Sequence, residues 1–469
     1  MNVNVAAPLA AGVPDTAREA LEAAVPGRLS AAAAVREHHS RGEGMPDAGL
    51  PDLVAFPETT EEVAALMRIC DGAAIPVVPW GTGTSLEGQV AAVRGGLTID
   101  LTGMNRVLSV SQASLDCRVE AGVTRVAFNE YLRDSGLFFP LDPGADASIG
   151  GMAATRASGT NAVGYGTMRE VVLGLTVVTP QGEVIHTGSR ARKSSAGYDL
   201  TRLYLGSEGT LGIITEVALR LYGRPEAIVC ATCQFETLEG AATAASLALQ
   251  TNLRPARMEL LDEVQMGACI AYSRLPDLDA RPTLFLEFHG TEAAAREQAS
   301  LLADIAAECG GYGFREAETP AERTRLWTAR HDCYHACLAM APGKRNMGTD
   351  ACVPIERLAD CIGEAKRDIA QSGLVAAIVG HVGDGNFHIG IMFDPDDADE
   401  VERAEALAFR TSRRAIAMGG TCSGEHGIGL HKIVHMETEH GPALGVMRAI
   451  KDALDPKGLM NPGKMLPPG

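Results

Sequence analysis

Two histidines separated by a short glycine-containing segment are the residues of this 469-residue sequence best placed for chemistry. Residues 380–388 read GHVGDGNFH and lie between two apolar runs, 375–379 and 389–393. An Asp-Gly pair favours a two-residue hairpin turn. A turn at 384–385 predicts that His381 and His388 lie directly opposite each other, with Cβ atoms about 4.5–5.5 Å apart. At that separation two imidazoles can bind one cation.

A glycine-flanked loop further along the chain offers a carboxylate and a third imidazole. Residues 422–429 read CSGEHGIG, and the glycines leave the backbone free to direct Glu425 and His426. Two histidines and one carboxylate can bind Zn²⁺, Mn²⁺ or Fe²⁺. His381, His388 and Glu425 are therefore predicted metal ligands, although the same spacing also suits paired cross-strand histidines beside an ordinary polar loop. His426 is then a spare imidazole, able to accept the proton of a metal-bound hydroxyl.

Three glycine-rich clusters earlier in the chain predict a site for an extended phosphate-bearing ligand. They cover residues 81–88, 143–166 and 206–212, each at the end of a predicted strand. Backbone N–H groups that small residues leave accessible can converge on an anion, and Ser and Thr hydroxyls add donors. Leu86 stands where a GxGxxG motif needs its third glycine, and no Gly-Lys-Ser/Thr follows. The clusters thus indicate a dinucleotide and argue against a Rossmann nicotinamide site or a Walker loop.

These clusters resemble the FAD-binding segments of the vanillyl-alcohol-oxidase-type (PCMH-type) flavoproteins. The matching stretches are 79–88 (PWGTGTSLEG), 150–161 (GGMAATRASGTN) continuing to 165–168, 197–200, and 206–215 (GSEGTLGIIT). With the histidine hairpin and the Glu-His loop, the resemblance covers about residues 48–467. It is specific to the branch that contains FAD-dependent D-lactate dehydrogenases, glycolate oxidase D-subunits and D-2-hydroxyglutarate dehydrogenases.

The resemblance implies FAD as the cofactor, with its pyrophosphate on residues 81–85. Noncovalent binding is expected, because the first loop lacks the histidine to which some members attach the flavin. The implied FAD-binding residues are Pro79, Trp80, Gly81, Thr82, Gly83, Thr84, Ser85, Gly88, Pro143, Gly144, Ser148, Gly151, Ser158, Gly159, Gly164, Gly209, Ile214 and Asn461.

The resemblance also implies a reaction, the oxidation of a D-2-hydroxy acid to its 2-oxo acid by hydride transfer to flavin N5. His426 matches the family's proposed base, and Asn386 matches an asparagine close to the flavin. Arg330, in a Trp-x-x-Arg helix, matches the residue that binds the substrate carboxylate, a role that suits a planar guanidinium. Gly348 stands where D-2-hydroxyglutarate dehydrogenases place a lysine, which favours D-lactate.

The expected protein is therefore an FAD- and divalent-metal-dependent D-lactate dehydrogenase that passes electrons to a quinone, a cytochrome or an electron-transfer flavoprotein. One alternative is a glycolate oxidase D-type subunit that works only with partner chains, and another is a D-2-hydroxyglutarate dehydrogenase. A different class is an inactive metal-binding flavoprotein that serves as an assembly component. The sequence is compatible with a homodimer and does not determine the oligomeric state.

We expect an α+β protein of three segments. Residues 1–47 are predicted to form a helical extension, and 48–226 a two-part PCMH-type FAD-binding domain. Residues 227–469 are predicted to form an α+β cap domain with an antiparallel sheet, the metal site and a C-terminal segment that contacts FAD. In the second segment, a capping box at 59–62 begins a helix whose predicted stop signal is Gly72.

The amino-acid composition argues against some classes of binding partner. The formal net charge of -18 argues against nucleic acid and against anionic lipid. Eleven scattered cysteines, an odd number, suit a reducing compartment. No basic N-terminal region precedes an apolar run, and no apolar run approaches ~20 residues. We expect a cytoplasmic protein whose membrane contact, if any, is peripheral to the inner membrane.

Overall fold

A computed structural model of the protein describes residues 12–44 and 49–468. The predicted domain start at residue 48, and parts of the predicted extension, lie outside the described residues. The described strands are β1 (Leu29–Ser30), β2 (Leu53–Ala55), β3 (Val77–Trp80), β4 (Leu97–Asp100), β5 (Val107–Ser111), β6 (Asp116–Glu120), β7 (Leu137–Phe138), β8 (Val172–Val178), β9 (Val184–His186), β10 (Ile213–Arg220), β11 (Tyr222–Gly223), β12 (Ala227–Phe235), β13 (Arg257–Leu261), β14 (Thr283–Gly290), β15 (Gly311–Glu316), β16 (Arg345–Gly348), β17 (Ala351–Cys352), β18 (Val375–Gly380) and β19 (Asn386–Phe393).

Helices lie between groups of these strands along the chain. The described α-helices are α1 (Asp15–Ala24), α2 (Ala33–His38), α3 (Thr60–Ala73), α4 (Arg125–Tyr131), α5 (Ile149–Thr155), α6 (Ala162–Tyr165), α7 (Met168–Val171), α8 (Leu200–Tyr204), α9 (Leu238–Gln250), α10 (Glu263–Ser273), α11 (Glu292–Glu308), α12 (Pro320–His331), α13 (Cys333–Met340), α14 (Leu358–Ser372), α15 (Ala398–Ala417), α16 (Ile433–His440) and α17 (Ala443–Leu454).

The described chain divides into two compact units. The first contains the residues up to Ser158, then Gly166–Arg224, then Glu425 onward; the second contains Gly159–Tyr165 and Pro225–Gly424. The division after Arg224 falls close to the domain boundary expected at 226/227. The domain bounds expected from the sequence stay a prediction. The segment from Glu425 belongs to the first compact unit. It is held there because Met460 pairs with Val77 of β3, and the Asn461 N–H donates to the Val77 carbonyl at 2.7 Å.

Two larger sheets make up the first unit, as the two-part prediction requires. One has the strand order β1-β2-β4-β3, and the other, antiparallel throughout, has the order β5-β6-β10-β8-β9. β2 and β3 both run parallel to β4. Parallel strands need a crossover connection, which α3 supplies between β2 and β3. The loop that leaves β3 carries the first glycine cluster.

Helix α3 begins as predicted. The Thr59 hydroxyl accepts the Glu62 N–H at 3.1 Å, and the apolar face with Val63, Leu66, Met67 and Cys70 is buried. The reciprocal half of the capping box does not form; the Glu62 carboxylate accepts the Glu58 N–H at 2.7 Å and pairs with Arg28 instead.

The predicted stop at Gly72 is wrong. The helix continues through Ala73, and Ala74 adopts the left-handed conformation with φ of 53°. Local sequence placed the start of this helix correctly, but it misplaced the end by a fraction of a turn.

The second unit is built on one antiparallel sheet, which confirms the predicted architecture. Its strand order is β15-β12-β14-β13-β18-β19-β16, and β17 pairs with β19 beside this path. Helix α11 packs on β12 and β14, and α10 packs on β13 and β18. The two strands that flank the histidine segment, β18 and β19, are neighbours in this sheet.

The hairpin between β18 and β19 differs from the prediction in its register. His388 lies opposite Val379 instead of His381. The reason is a 3-10 turn over Val382–Asp384, in which the Asp384 N–H donates to the His381 carbonyl at 2.9 Å. Because side chains alternate between faces at every residue, a shift of two residues leaves His388 on its predicted face.

Among the described residues, no helix combines the length and the apolar composition needed to cross a bilayer. All eleven cysteines lie within the described ranges and are free thiols.

Candidate functional site

The first two glycine clusters are in contact within the first unit. A Cβ at Gly81 would lie 2.4 Å from the Ser148 hydroxyl, so the loop after β3 approaches Ser148 only because residue 81 has no side chain. The Thr82 hydroxyl accepts the Ser148 N–H at 3.3 Å, and the Ser148 hydroxyl accepts the Gly151 N–H at 3.3 Å. Gly83 has φ of +71°, and its Cβ would lie 2.4 Å from the Trp80 ring.

The third cluster joins the same region. Gly209 has φ of +69°, and a Cβ there would lie 2.8 Å from Cγ of Pro79. The Asn461 amide donates to the carbonyls of Gln89 and Glu208 at 2.9 and 2.7 Å, which connects the C-terminal segment to the residue after the first cluster and to the third cluster. The structure therefore brings three predicted glycine clusters and Asn461 together.

Buried hydroxyls test whether these loops fit a dinucleotide. The hydroxyls of Ser85 and Ser207 are buried, and neither has a hydrogen-bond partner among the residues that the structure describes. A buried polar group without a partner is costly, and an oxygen-rich ligand removes that cost. One hydroxyl lies in the first cluster and the other in the third. The loops fit the FAD that the sequence predicts.

Two of the predicted FAD-binding residues, Gly159 and Gly164, belong to the second unit. Gly164 lies in α6, where a Cβ would be 2.8 Å from Cα of Ala256. The others belong to the first unit: Pro79, Trp80, Gly81, Thr82, Gly83, Thr84, Ser85, Gly88, Pro143, Gly144, Ser148, Gly151, Ser158, Gly209, Ile214 and Asn461.

In the second unit the predicted histidines are neighbours. The rings of His381 and His388 have centroids 5.4 Å apart and are nearly perpendicular. Nδ1 of His381 is 2.7 Å from Oε1 of Glu259, and Nδ1 of His388 is 2.9 Å from the Thr349 carbonyl. Both partners are acceptors, so each neutral ring carries its proton on Nδ1 and its lone pair on Nε2. Histidines that bind metals are held in this way, and the pair fits that role.

Glu259, which the sequence reasoning missed, is the centre of a buried charged cluster. This carboxylate is fully buried in β13, and its Oε2 accepts from Nε and Nη2 of Arg330 at 2.9 and 2.5 Å. Burial by itself lowers the pKa of Arg330, but the charge of Glu259 outweighs this effect and leaves the pKa above its usual range. A carboxylate inside the apolar strand sequence RMELL was the available signal.

Glu259, Arg330 and His381 are called the Glu259 cluster below. Within it, Glu259 occupies one edge of the Arg330 guanidinium. Because Nε and Nη2 donate to Glu259, a substrate carboxylate would have to approach the Nη1 side. The predicted role of Arg330 stays a prediction, with that edge specified.

Asn386 is held by a second carboxylate that the sequence reasoning did not assign. Its amide donates to Oδ1 of Asp350 at 2.8 Å and to the Ala351 carbonyl at 3.0 Å. Asp350 is buried, and its Oδ2 accepts the Ser423 hydroxyl at 2.9 Å. The Asn386 side-chain oxygen is buried and has no hydrogen-bond partner among the described residues, so it is oriented and available as an acceptor.

The loop that begins at Glu425 is anchored in the first unit by two more buried carboxylates. Nδ1 of His426 lies 3.3 Å from Oε1 of Glu87, which belongs to the first glycine cluster. Glu208, in the third cluster, accepts the N–H groups of Ile428 and Gly429 at 2.7 and 2.8 Å. Burial raises the pKa of Glu208 to about 7, although these two hydrogen bonds act in the opposite direction.

The predicted metal ligands are divided between the units. His381 and His388 belong to the second unit, and Glu425 begins the last segment of the first. The three-ligand set therefore stays a prediction.

Comparison with known protein families gives two matches. Residues 51–188 match the model described as "FAD binding domain", and residues 224–465 match "FAD linked oxidases, C-terminal domain". The second match alone covers more than half of the chain.

Curated relatives are similar over most of their length. The probable mitochondrial D-lactate dehydrogenase of Danio rerio is 50% identical over 442 residues, which cover 93% of this chain and 89% of the relative. The mitochondrial D-lactate dehydrogenase [cytochrome] of Arabidopsis thaliana is 48% identical over 420 residues, with 89% and 74% covered. The glycolate oxidase subunit GlcD of Bacillus subtilis is 32% identical over 420 residues, 89% of each chain.

Among solved structures, 4-ethylphenol oxidase from Gulosibacter chungangensis has a TM-score of 0.80. It covers 96% of this chain and 97% of its own at 18% identity, so the two proteins share a fold.

Proposed function

Because the chain belongs to the family of FAD-linked oxidases, we propose that it oxidises a D-2-hydroxy acid, D-lactate in the first place, to the 2-oxo acid. The observation that carries this proposal is the 50% identity, over 93% of the chain, to a relative named as a D-lactate dehydrogenase. When bound, FAD supplies the two-electron acceptor for the hydride. The missing tethering histidine in the first loop supports noncovalent binding.

The substrate carboxylate is proposed to bind Arg330. The guanidinium is buried and pre-oriented by Glu259, so little side-chain entropy is lost on binding. A second carboxylate on the substrate would need a second cation. Gly348 is exposed in β16, and the nearby Lys344 is paired with Glu400 at 2.8 Å. These observations support a monocarboxylate over D-2-hydroxyglutarate.

The proposal also includes a bound divalent metal ion. His381, His388 and Glu425 are its proposed ligands, with Zn²⁺, Mn²⁺ or Fe²⁺ all compatible with two imidazoles and a carboxylate. Such an ion supplies a Lewis acid that lowers the pKa of a hydroxyl group. The support within the structure is the orientation of the two imidazoles, each fixed through Nδ1.

His426 is proposed to accept the hydroxyl proton, and Asn386 to orient groups beside the flavin. An imidazole suits this task, since its unperturbed pKa lies near neutrality. The inactive assembly component is disfavoured, because each of these side chains is present.

The electron acceptor is proposed to be a cytochrome, as the name of the Arabidopsis relative suggests; a quinone or an electron-transfer flavoprotein remains an alternative. A second candidate function is that of a glycolate oxidase D-type subunit. The 32% identity to GlcD favours it specifically, and co-purification with partner chains would distinguish it. The cytoplasmic location stays a prediction.

The test is anaerobic flavin reduction. The purified protein should be yellow, and acid precipitation should release FAD into the supernatant. D-lactate should bleach the visible flavin band faster than glycolate or D-2-hydroxyglutarate, and L-lactate should leave it oxidised. Faster bleaching by glycolate would support the GlcD alternative. No bleaching with any of the four acids would overturn the proposal.

A further inference from the structure

A short N-terminal segment, residues 39–44, lies against the first glycine cluster, residues 81–88. The match to the FAD-binding family model begins at residue 51, so this segment precedes it. We propose that residues 39–44, called the strap below, are part of the FAD site and hold the first cluster in the conformation that binds the cofactor pyrophosphate. This inference rests on the FAD part of the proposed function and does not depend on the identity of the substrate.

The strap contacts the backbone of the first cluster directly. The Glu43 N–H donates to the Ser85 carbonyl at 3.1 Å. A Cβ on Gly42 would overlap the same carbonyl oxygen, and a Cβ on Gly44 would overlap the carbonyl oxygen of Leu86. The two backbones can approach this closely because residues 42 and 44 have no side chain. The strap therefore fixes the part of the cluster that carries the buried Ser85 hydroxyl.

His39 anchors the start of the strap between a helix and a strand. Its Nδ1 lies 2.8 Å from the Val35 carbonyl in α2, and its Nε2 lies 2.8 Å from Oδ2 of Asp100 at the end of β4. Asp100 is the partner of Trp80 in the β3–β4 pair, and the first cluster follows Trp80 directly. The strap is thus tied to the strand end from which the cluster starts.

The His39 ring also packs on the Trp80 indole. The two ring centroids are 4.7 Å apart, and Trp80 is 4% exposed. Within the cluster, Gly83 lies so close to the indole that a Cβ there would overlap it. Trp80 therefore contacts both the strap and the cluster. Because protein interiors are close-packed, a displaced His39 should move the indole and, through it, the cluster.

Gly42→Ala tests the strap, because the new methyl group must displace the Ser85 carbonyl. We expect FAD to dissociate from the purified holoprotein on the order of 10-fold faster than from wild type, since overpacking costs free energy and affinity differences fall mainly on the dissociation rate. The rise in flavin fluorescence after dilution measures this rate without any substrate. An unchanged rate would overturn the inference.

Leu21→Ala is the control for a purely structural effect. Leu21 is fully buried in α1, in a core cluster with residues of α3 that contains no described residue of 81–88. Its truncation should lower the melting temperature at least as much as Gly42→Ala does. Its FAD release should nevertheless stay within about 2-fold of wild type, as expected for distant sites. If FAD release follows the melting temperature in both variants, the strap is only general packing and the proposal fails.

Two variants of His39 give a second, independent measurement. His39→Leu removes both hydrogen bonds, so FAD should again be released faster. His39→Gln places an amide donor near the position of Nε2, where it can still reach Asp100, and should recover part of the wild-type rate. Equal release from the two variants would show that the hydrogen bond to Asp100 has no part in holding FAD, which contradicts the anchoring role of His39.

The wild-type protein separates this inference from the proposed function. If it retains FAD but no 2-hydroxy acid reduces the flavin, the substrate assignment fails, and FAD release from the strap variants still decides the inference. If D-lactate reduces the flavin but the strap variants release FAD at the wild-type rate, the inference fails alone. A wild-type protein that binds no FAD would overturn both.

Discussion

In the first unit three loops approach one another because side chains are missing, whereas in the second unit charged side chains meet inside a sheet. Gly81, Gly83 and Gly209 allow contacts that a single Cβ would block. The Glu259 cluster instead depends on a carboxylate that compensates a buried guanidinium and orients an imidazole. One region is sensitive to added atoms, and the other to the loss of a partner.

This difference determines how each region should fail. A methyl group added to a close-packed loop costs free energy through displaced neighbours. A partner removed from a buried ion pair costs more, because a charge is left without compensation in a medium that solvates it poorly. The variants below test that contrast, from the largest expected effect to the smallest.

The largest effects are expected at the proposed metal ligands and the proposed base. His381→Ala, His388→Ala and Glu425→Ala should each lose metal and activity together, because two remaining ligands hold a divalent ion poorly against water. His426→Ala should keep its metal and its flavin spectrum, yet reduce flavin about 10²–10⁴-fold more slowly. Elemental analysis measures the metal content of each variant, and rapid mixing with D-lactate measures the rate of flavin reduction. Loss of metal in His426→Ala equal to that in His388→Ala would make His426 a ligand.

Glu259→Leu should be the most destabilising single change in the second unit. It leaves Arg330 charged and buried and removes the acceptor for Nδ1 of His381, at a cost of about 3–5 kcal/mol in the free energy of unfolding. Glu259→Leu combined with Arg330→Met should recover most of that loss but no activity. Thermal unfolding of the three proteins measures this, and equal melting temperatures for the single and double variants would contradict it.

Gly83→Ala should weaken FAD binding by about 1–3 kcal/mol, since the new methyl group would overlap the Trp80 ring. Gly136→Ala is the matched control, because Gly136 has nearly the same φ, +73°, with open space around the Cβ position. Both variants pay the left-handed backbone cost of about 1 kcal/mol. FAD titration of the apoproteins should therefore show a weaker affinity for FAD in Gly83→Ala and an unchanged affinity in Gly136→Ala. Equal affinities would show that this loop tolerates side chains.

Local patterns predicted individual elements well. The apolar runs 375–379 and 389–393 form β18 and β19, and the helix predicted from the capping box begins at Thr60. The errors fall where geometry beyond the local pattern decides. The hairpin register depends on a 3-10 turn that an Asp-Gly pair does not specify, and the end of α3 lies beyond Gly72.

The sequence by itself identified the glycine loops, the two histidines and the family. Each of these signals lies within a short stretch of sequence, and each depends on which side chains are present or absent there. Only the tertiary structure showed which carboxylates contact the histidines and the arginine of the candidate site. Glu87 and His426 are 339 positions apart, and Glu259 is 71 from Arg330 and 122 from His381. A buried carboxylate has no local signature of its partner, since its partner is fixed only when sheet and loops pack. The same residue type stands in dozens of places in this chain, and burial beside a cation distinguishes the few that matter.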